Sequence, residues 1–316
     1  MAISPVDNDS QGGRGWIPGA PGIPAFVLRA SEPSAIPVLI AVPHAGRAYS
    51  SALLRDMRHS ESVALRLEDR YVDRLAQGIA KETGATLLMA NAPRAMIDLN
   101  RAPDDVDWDM FAQADRPKGG TASPSRRVRS GLGLIPRRLT GVGELWRRRM
   151  EGVELTRRIE GIHAPYHATL DGALANLRDR WGAALLIDLH SMPPLPVRTG
   201  MAPTEVVIGD RFGAACHGRL IAAAFSQMAA VRREAAHNRP YAGGYVLERH
   251  ADPRGGIHAL QVEVDRSCYL DPGLVEPGPG MAAVIDDLSA LVRRLADVVS
   301  ELGQEQSGKG WPLAAE

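Results

Sequence analysis

The chain has 316 residues, of which 45% are hydrophobic and 23% are charged. This apolar content can close a core without disulfides or structural metals. The 37 Lys and Arg residues balance 37 Asp and Glu residues, so the chain lacks the positive field on which non-specific nucleic-acid binding depends. We therefore expect a globular protein whose partner is not a nucleic acid.

Cysteine usage and hydropathy bear on the cellular compartment. Neither Cys216 nor Cys268 belongs to a CxxC pair, which favours buried thiols in a reducing compartment. The first residues contain no basic segment followed by an apolar run, and no stretch approaches the roughly 18 apolar residues of a membrane span. The sequence predicts a cytoplasmic protein without a membrane partner.

The two ends differ in composition from the middle of the chain. Residues 1–24 are rich in Gly, Pro, Ser and Asp, and residues 303–316 are polar and small. We expect flexible arms flanking a single α/β domain at residues 25–302. Short β-branched runs predict buried strands within this domain. The runs are Val38–Val42, Ala85–Met89, Ala184–Asp188, Glu205–Gly209 and Ala259–Val264.

Helical periodicity appears between these runs. It predicts helices within Val63–Thr83, Phe212–Val231 and Met281–Leu302, and two helical stretches within Leu145–Arg180, broken near Pro165. Strands that alternate with helices predict an α/β fold with a mostly parallel or mixed central sheet and helices on both faces. Because ligands bind beyond the carboxyl ends of strands in such sheets, the residues after each strand are the candidates for chemistry.

Residues 104–143 interrupt the alternation of strands and helices. The segment contains several prolines and glycines and a basic cluster at Arg126, Arg127 and Arg129. This composition predicts an insertion. A mobile flap over a site and a solvated surface loop are equally good interpretations of it.

Polar side chains collect at three of the predicted strand ends. His44 and His190 each follow a buried strand, and Glu263 lies in the last one. If these strands are neighbours in a parallel sheet, the three side chains meet at one edge. Two imidazoles and a carboxylate are the ligands of a catalytic zinc site, whose fourth position stays open for water.

The carboxylate of such a site has to come from another segment, because the residue three positions beyond His44 is Arg47. The nearest candidate is Glu68–Asp73, in which Asp69 and Asp73 stand one helical turn apart. Each histidine by itself fits a structural role, and Asp69 by itself fits a helix terminus. Only their joint placement favours a metal site.

The segment after Ala85–Met89 contains Asp98, Asn100 and Arg101. An Asn beside an Arg can hold a carboxylate, since the guanidinium offers a bidentate fork and the amide adds a donor. An ion pair between Asp98 and Arg101 that ties down a loop is the alternative interpretation.

Eight segments, taken together and in order, resemble the N-formylglutamate amidohydrolase family, which is similar in fold and site chemistry to zinc carboxypeptidases and aspartoacylases. The resemblance extends over residues 38–275. The matching segments are Val42–Gly46, Glu68–Leu75, Arg94–Arg101, Gly131–Pro136, Ala164–His167, Ile187–Met192, Pro240–Tyr245 and His258–Val264.

The resemblance implies a zinc-carboxypeptidase-like fold and one Zn²⁺ ion per chain. His44 and His190 would be two of the zinc ligands. The third would be Asp69, with the neighbouring Glu68 as the alternative. Asn100 and Arg101 resemble the Asn-Arg pair with which the carboxypeptidases grip a substrate carboxylate.

The resemblance also implies a mechanism. Glu263 resembles the general base, which accepts a proton from a zinc-activated water and passes it to the leaving amine. Arg94 or Arg101 would stabilise the tetrahedral oxyanion. The implied substrate is a small N-formyl or N-acyl acidic amino acid such as N-formyl-L-glutamate, cleaved to formate and the free amino acid, as in histidine degradation.

A competing hypothesis is a small-molecule binding module on the same fold that does not hydrolyse its ligand. The joint presence of both histidines, the acidic residue and Glu263 opposes it. A nucleotide-dependent enzyme is disfavoured because the sequence has no GxxxxGK[ST] motif.

Several further residues close to these segments are expected to be structural. We expect a tight turn at Gly243–Gly244 in preference to a close approach of backbone to substrate. Five histidines are expected not to be metal ligands: His163, His167, His237, His250 and His258.

Overall fold

A mixed β-sheet forms the centre of the protein in the computed structural model, which describes residues 15–116, 125–197, 200 and 202–308. Its seven strands are β1 Phe26–Arg29, β2 Val38–Val42, β3 Thr86–Ala90, β6 Ala184–Met192, β7 Val206–Gly209, β8 Ala235–His237 and β9 Ile257–Asp265. A separate two-stranded ribbon consists of β4 Arg138–Leu139 and β5 Gly143–Glu144.

The strand order in the sheet is β1-β3-β2-β6-β9-β7-β8. The four central strands β3, β2, β6 and β9 run parallel. Strand β1 is antiparallel to β3, and β7 is antiparallel to β9 while it pairs in parallel with β8. Strand β2, which His44 follows, is therefore next to β6, which contains His190, and β6 is next to β9, which contains Glu263.

The α-helices lie between and beyond these strands in the chain. They are α1 Ser51–Asp56, α2 Ser60–Leu67, α3 Val72–Thr83, α4 Arg126–Arg129, α5 Gly152–Arg158, α6 Ala164–Trp181, α7 Gly218–Ala230, α8 Tyr245–His250 and α9 Met281–Gly308. Among the described helices, none combines the length and apolar character that a bilayer crossing requires.

Two hydrophobic layers cover the sheet, because successive side chains of a strand point to opposite faces. In β2, Val38, Ile40 and Val42 pack in the same cluster as residues of α3, α7 and α9. Leu39 and Ala41 pack in the other cluster, with residues of α5 and α6. The expected α/β class, a mixed sheet with helices on both faces, is confirmed.

The helix predicted across Val63–Thr83 is in fact two helices. They are separated at Glu68–Tyr71, where Tyr71 takes a left-handed conformation with φ 56°. This break lets the backbone N–H of Asp69 donate to the carbonyl of His44 at 3.0 Å. The predicted break near Pro165 is a π-helical turn, Ile159–His163, that joins α5 to α6.

The structure describes some residues beyond each predicted domain boundary, and they take part in the fold. Residues 1–14 lie outside the described residues, but 15–24 are not a loose arm, since Ile17 is 3% exposed and the N–H of Trp16 donates to the carbonyl of Gly161. At the other end, α9 continues to Gly308, so the predicted tail begins in a helix. Residues 309–316 lie outside the description.

Some of the described residues of the predicted insertion 104–143 pack into the core. Phe111, Leu134 and Ile135 are buried, and the carbonyl of Leu134 accepts a hydrogen bond from the N–H of Asp98 at 2.7 Å. These parts are therefore not a solvated loop; residues 117–124 lie outside the described ranges. The insertion supports the segment that carries Asn100 and Arg101.

Candidate active site

A cavity of about 450 Å³ opens at the carboxyl ends of the central strands. Sequence reasoning selected seven site residues, and all of them line it: His44, Asp69, Arg94, Asn100, Arg101, His190 and Glu263. Glu68, the alternative ligand, is not in the lining; its carboxylate accepts from the guanidinium of Arg70 at 2.9 Å.

The pairing of β6 with β9 sets the floor of this cavity. His190 is the cross-strand partner of Glu263, and Asp188 is the partner of Gln261. Residues two apart on a strand share a face, so these four polar side chains point to the same side of the sheet. All four are buried.

Each of the two imidazoles is held by a buried carboxylate. The Nε2 of His44 lies 2.7 Å from Oδ1 of Asp98, and the Nε2 of His190 lies 2.8 Å from Oδ2 of Asp188. A carboxylate accepts from the ring, so both contacts place a proton on Nε2. Nδ1 is then the nitrogen of each ring that could bind a cation.

Both Nδ1 atoms converge on Asp69. Oδ2 of Asp69 is 2.9 Å from Nδ1 of His190 and 3.5 Å from Nδ1 of His44, and the three atoms form a group that could hold a metal ion. Nδ1 of His44 is buried and has no hydrogen-bond partner in the described structure. The other oxygen of Asp69, Oδ1, faces the guanidinium of Arg266 at 3.3 Å.

The charges and hydrogen bonds within this group outweigh the effect of burial on the pKa values of Asp69 and His190. Burial disfavours the charged form of Asp69, but the hydrogen bond from His190 and the nearby ring of His44 outweigh burial and hold the pKa of Asp69 well below its usual range. Burial disfavours the imidazolium form of His190, yet Asp188 and Asp69 raise its pKa well above the usual value.

Asp98 joins this site to Arg94. Nε and Nη2 of Arg94 both lie 2.9 Å from Oδ2 of Asp98. Despite burial, the charges of Arg94 and His44 hold the pKa of Asp98 well below its usual range. The structure thus pairs Asp98 with Arg94 and not with Arg101, in contrast to the alternative interpretation from the sequence.

Glu263 lies beside the histidines with one fixed contact. Nε2 of Gln261 donates to Oε1 of Glu263 at 2.8 Å. Burial raises the pKa of Glu263 to about 7. A carboxyl group with that pKa can both accept and return a proton near neutral pH.

The amide of Asn100 is committed to neighbouring protein groups. Its Nδ2 lies 3.3 Å from Oδ2 of Asp188 and 3.4 Å from Oε1 of Gln261, and its Oδ1 accepts from the N–H of Val246 at 2.9 Å. The backbone of Gly244 packs directly on it, since a Cβ at Gly244 would lie 2.4 Å from Oδ1 of Asn100. The glycine pair therefore serves a close approach to Asn100, and its Gly243 also has a φ of +107°.

Two arginines, Arg101 and Arg127, line the cavity. Nε and Nη1 of Arg101 donate to the carbonyls of Leu132 and Asn100 at 3.0 and 2.6 Å. Arg127, on α4, lines the same cavity and an adjoining one. Among the described residues no carboxylate forms an ion pair with either guanidinium, and burial together with the charges of Arg94 and Arg127 lowers the pKa of Arg101.

Sequence reasoning did not select four of the residues that build this site. Asp188 carried a usable signal, because it precedes His190 by two positions and therefore shares its face. The other three are placed by contacts between distant segments, which no local pattern indicates: Gln261, Arg127 and Arg266, together with the carboxylate role of Asp98 toward His44.

The fold and the site together indicate a class of protein. A mixed α/β sheet carries, at its carboxyl edge, a His-Asp-His group and a buried glutamate, which is a hydrolytic type of site. The chain belongs to the N-formylglutamate amidohydrolase family, whose model matches residues 36–270. The resemblance inferred from the sequence, and the enzyme class of hydrolase, are confirmed.

Individual relatives agree with this assignment. The N-formylglutamate deformylase of Pseudomonas putida is 32% identical over 242 residues, which are 75% of this chain and 82% of that protein. That of Pseudomonas aeruginosa is 29% identical over 277 residues, covering 86% and 95%. The crystal structure of an N-formylglutamate amidohydrolase from Ralstonia eutropha JMP134 has a TM-score of 0.78 at 29% identity, covering 88% of this chain and 99% of that one.

The contact between Gly244 and Asn100 gives a first prediction. Gly244→Ala should lower the free energy of unfolding by about 1–3 kcal/mol, because the new methyl group overlaps a side chain that is held on all sides. Gly172→Ala is the matched control: Gly172 lies in α6 with no atom within 4 Å of the added carbon, so it should stabilise by about 0.5–1 kcal/mol. Denaturant titration measures both, and equal effects would refute the packing argument.

Proposed function

We propose that this protein is a zinc-dependent amidohydrolase that cleaves the formyl amide of N-formyl-L-glutamate, or the acyl amide of a closely related N-acyl acidic amino acid. The observation that carries the proposal is the convergence of two carboxylate-held imidazoles and Asp69 beside the buried Glu263. The names of the relatives support the choice of substrate.

The residues of the site fit a metal ion. Ligands at about 2 Å from a tetrahedral zinc lie about 3.3 Å apart, and the two distances from Oδ2 of Asp69 to the Nδ1 atoms, 2.9 and 3.5 Å, bracket that separation. The unpartnered Nδ1 of His44 is the donor that a cation would satisfy. A zinc ion bound there would acidify a water molecule and polarise the amide carbonyl.

We propose Asp69 in preference to Glu68 as the third ligand. Only Asp69 belongs to the group of converging atoms in the described structure, while the carboxylate of Glu68 is engaged by Arg70. Arg266 holds the other oxygen of Asp69, which leaves Oδ2 directed at the two histidines.

The chain's own side chains move the proton and support the developing charge. We assign Glu263 as the general base that accepts the proton of the attacking water and gives it to the leaving amine. Arg94 lines the same cavity, and its Nε and Nη2 are fixed on Asp98. Its fixed guanidinium is the group that we assign to the oxyanion, because a charge held in place needs no reorganisation during the reaction.

The substrate carboxylate is assigned to Arg101 and Arg127. Two guanidinium groups that face one cavity without a carboxylate partner attract an anion. Because the Asn100 amide is committed to Asp188 and Gln261, we propose that it supports the floor of the site and leaves the direct carboxylate contact to the two arginines.

The metal proposal predicts the composition of the purified protein. Elemental analysis should find about one zinc per chain. His44→Ala and His190→Ala should each remove most of it, because the two remaining ligands cannot hold zinc tightly. His237→Ala is the control, since this ring contacts Asp210 outside the cavity. Full occupancy in both site variants would refute the assignment.

The choice between the two acidic residues is tested in the same assay. Asp69→Asn should lose most of the zinc, whereas Glu68→Gln should retain it. Circular dichroism of each variant separates ligand loss from unfolding. The opposite pattern, with zinc lost only from Glu68→Gln, would transfer the ligand role to Glu68.

The general-base assignment predicts that Glu263→Gln keeps zinc and fold but lowers kcat by on the order of 10²-fold or more. The amide conserves the shape and the hydrogen bond to Gln261 but cannot accept the proton. Steady-state release of formate measures the effect. Normal turnover in the variant would mean that Glu263 is a structural carboxylate. Loss of zinc would mean that Glu263 is a metal ligand.

The carboxylate assignment predicts a loss that depends on the substrate. Arg101→Lys should lower kcat/KM for N-formyl-L-glutamate by roughly 10- to 100-fold, since the charge stays but the bidentate fork is lost. Arg127→Gln should act in the same direction, while Arg126→Gln, on the same helix but outside the cavity lining, should have no effect.

Substrate analogues decide how these arginine variants are interpreted. Two analogues are needed, each with one of the two substrate carboxylates replaced by an amide. For the analogue that lacks the carboxylate contacted by Arg101, the kcat/KM values of the wild type and of Arg101→Lys should become nearly equal. An equal loss on every analogue would mean that Arg101 acts on the fold or on the oxyanion.

A further inference from the structure

A chain of buried histidines lies behind the loop that carries Asn100 and Arg101. Nε2 of His167 is 3.0 Å from the carbonyl of Leu99, and its Nδ1 is 2.8 Å from Nε2 of His250. Nδ1 of His250 is 2.6 Å from Oδ1 of Asp171. The side chains of both histidines are buried, whereas Asp171 is half exposed.

The loop has a second histidine anchor one turn away. His163, four residues before His167, places its Nε2 2.9 Å from the carbonyl of Arg101. The π-helical turn Ile159–His163 leads directly into α6, so both rings project toward the loop. The carbonyls on either side of Asn100, those of Leu99 and Arg101, are thus each held by an imidazole.

The number of protons that these hydrogen bonds need determines the net charge of the group formed by His167, His250 and Asp171. The carbonyl of Leu99 and the carboxylate of Asp171 can only accept, and the nitrogen-to-nitrogen contact between the rings needs one proton of its own. Three protons are therefore required, but two neutral imidazoles supply only two. The group of two rings and one carboxylate must hold one more.

The surroundings indicate where the additional proton resides. The guanidinium of Arg249 lies 3.1 Å from Asp171 and favours an ionised carboxylate. Burial and the neighbouring imidazoles lower the pKa of His167 to about 2, so that ring stays neutral. Burial dominates at His250 and lowers its pKa, against the opposing charge and hydrogen bond of Asp171. The hydrogen-bond count and the 2.6 Å contact between Nδ1 of His250 and Asp171 nevertheless require the additional proton within the pair of His250 and Asp171.

We propose that Asp171, His250 and His167 form a positioning relay in which His250 is an imidazolium, and that this relay fixes the Leu99–Arg101 loop against the active-site cavity. His250 donates to Asp171 through Nδ1 and to His167 through Nε2. His167 in turn donates to the carbonyl of Leu99 through Nε2. The three residues are positioning residues, because none of them lines the cavity.

Nitrogen NMR of the full-length protein, labelled with ¹⁵N-histidine and held at pH 7, tests the protonation states directly. His250 should show protons on both ring nitrogens, and His167 only on Nε2. His258, buried with neither ring nitrogen hydrogen-bonded in the described structure and with a pKa lowered to about 4 by burial, is the internal reference for a neutral ring. A neutral ring at both His167 and His250 would overturn the proposal.

Asp171→Asn tests the consequence for the loop. The variant removes the charge that holds the second proton on His250, so the NMR signature should be lost and KM should rise by on the order of tenfold, with a smaller change in kcat and unchanged zinc content. Asp179→Asn, on the same helix and paired among the described residues with Arg178, is the matched control. A wild-type spectrum and KM in Asp171→Asn would also overturn the relay.

The kinetic arm rests on the proposed function, but the spectroscopic arm does not. If the wild-type protein hydrolyses no N-acyl amino acid, the proposed function fails while the ring protons of His250 still decide the relay. If turnover is normal and His250 is neutral, the relay fails and the proposed function stands.

Discussion

The hydrogen bonds that His44 donates to Asp98 and that His190 donates to Asp188 determine what this site can do. Each one fixes its ring with the proton on Nε2 and turns Nδ1 toward Asp69. A ring free to choose the other tautomer would present an N–H to the same point and repel a cation. Asp98 and Asp188 therefore determine which nitrogen of each ring can bind a cation, although neither carboxylate belongs to the group of proposed ligands.

These contacts place several carboxylates in a nearly dry environment, which is tolerable only when each is paired. Asp98 is balanced by Arg94, and Asp69 by the two imidazoles and Arg266. Within the described part of the chain Glu263 forms no ion pair; its fixed contact is the Gln261 amide, and burial raises its pKa. Burial thus separates the carboxylates into permanent anions and one that can exchange a proton.

The sequence predicted the central strands well, because Val38–Val42 and the adjacent strands are short apolar runs that are buried on both faces of the sheet. It missed β1 and β8, which are short and partly exposed edge strands whose pairing partners are distant in the chain. The site histidines were found because strand ends meet at one edge. The partnership of Asp98 with His44 spans 54 positions and is set by packing, which no local pattern reports.

The loop around Asn100 is held from three sides by different parts of the chain. The histidine relay fixes its backbone, β6 and β9 receive the Asn100 amide, and the insertion supports it through Leu134. Relay and sheet serve geometry common to any hydrolysis at this site. Arg127 comes from the insertion instead, so substitutions on α4 can alter which anion is accepted without disturbing the residues that we assign to the reaction.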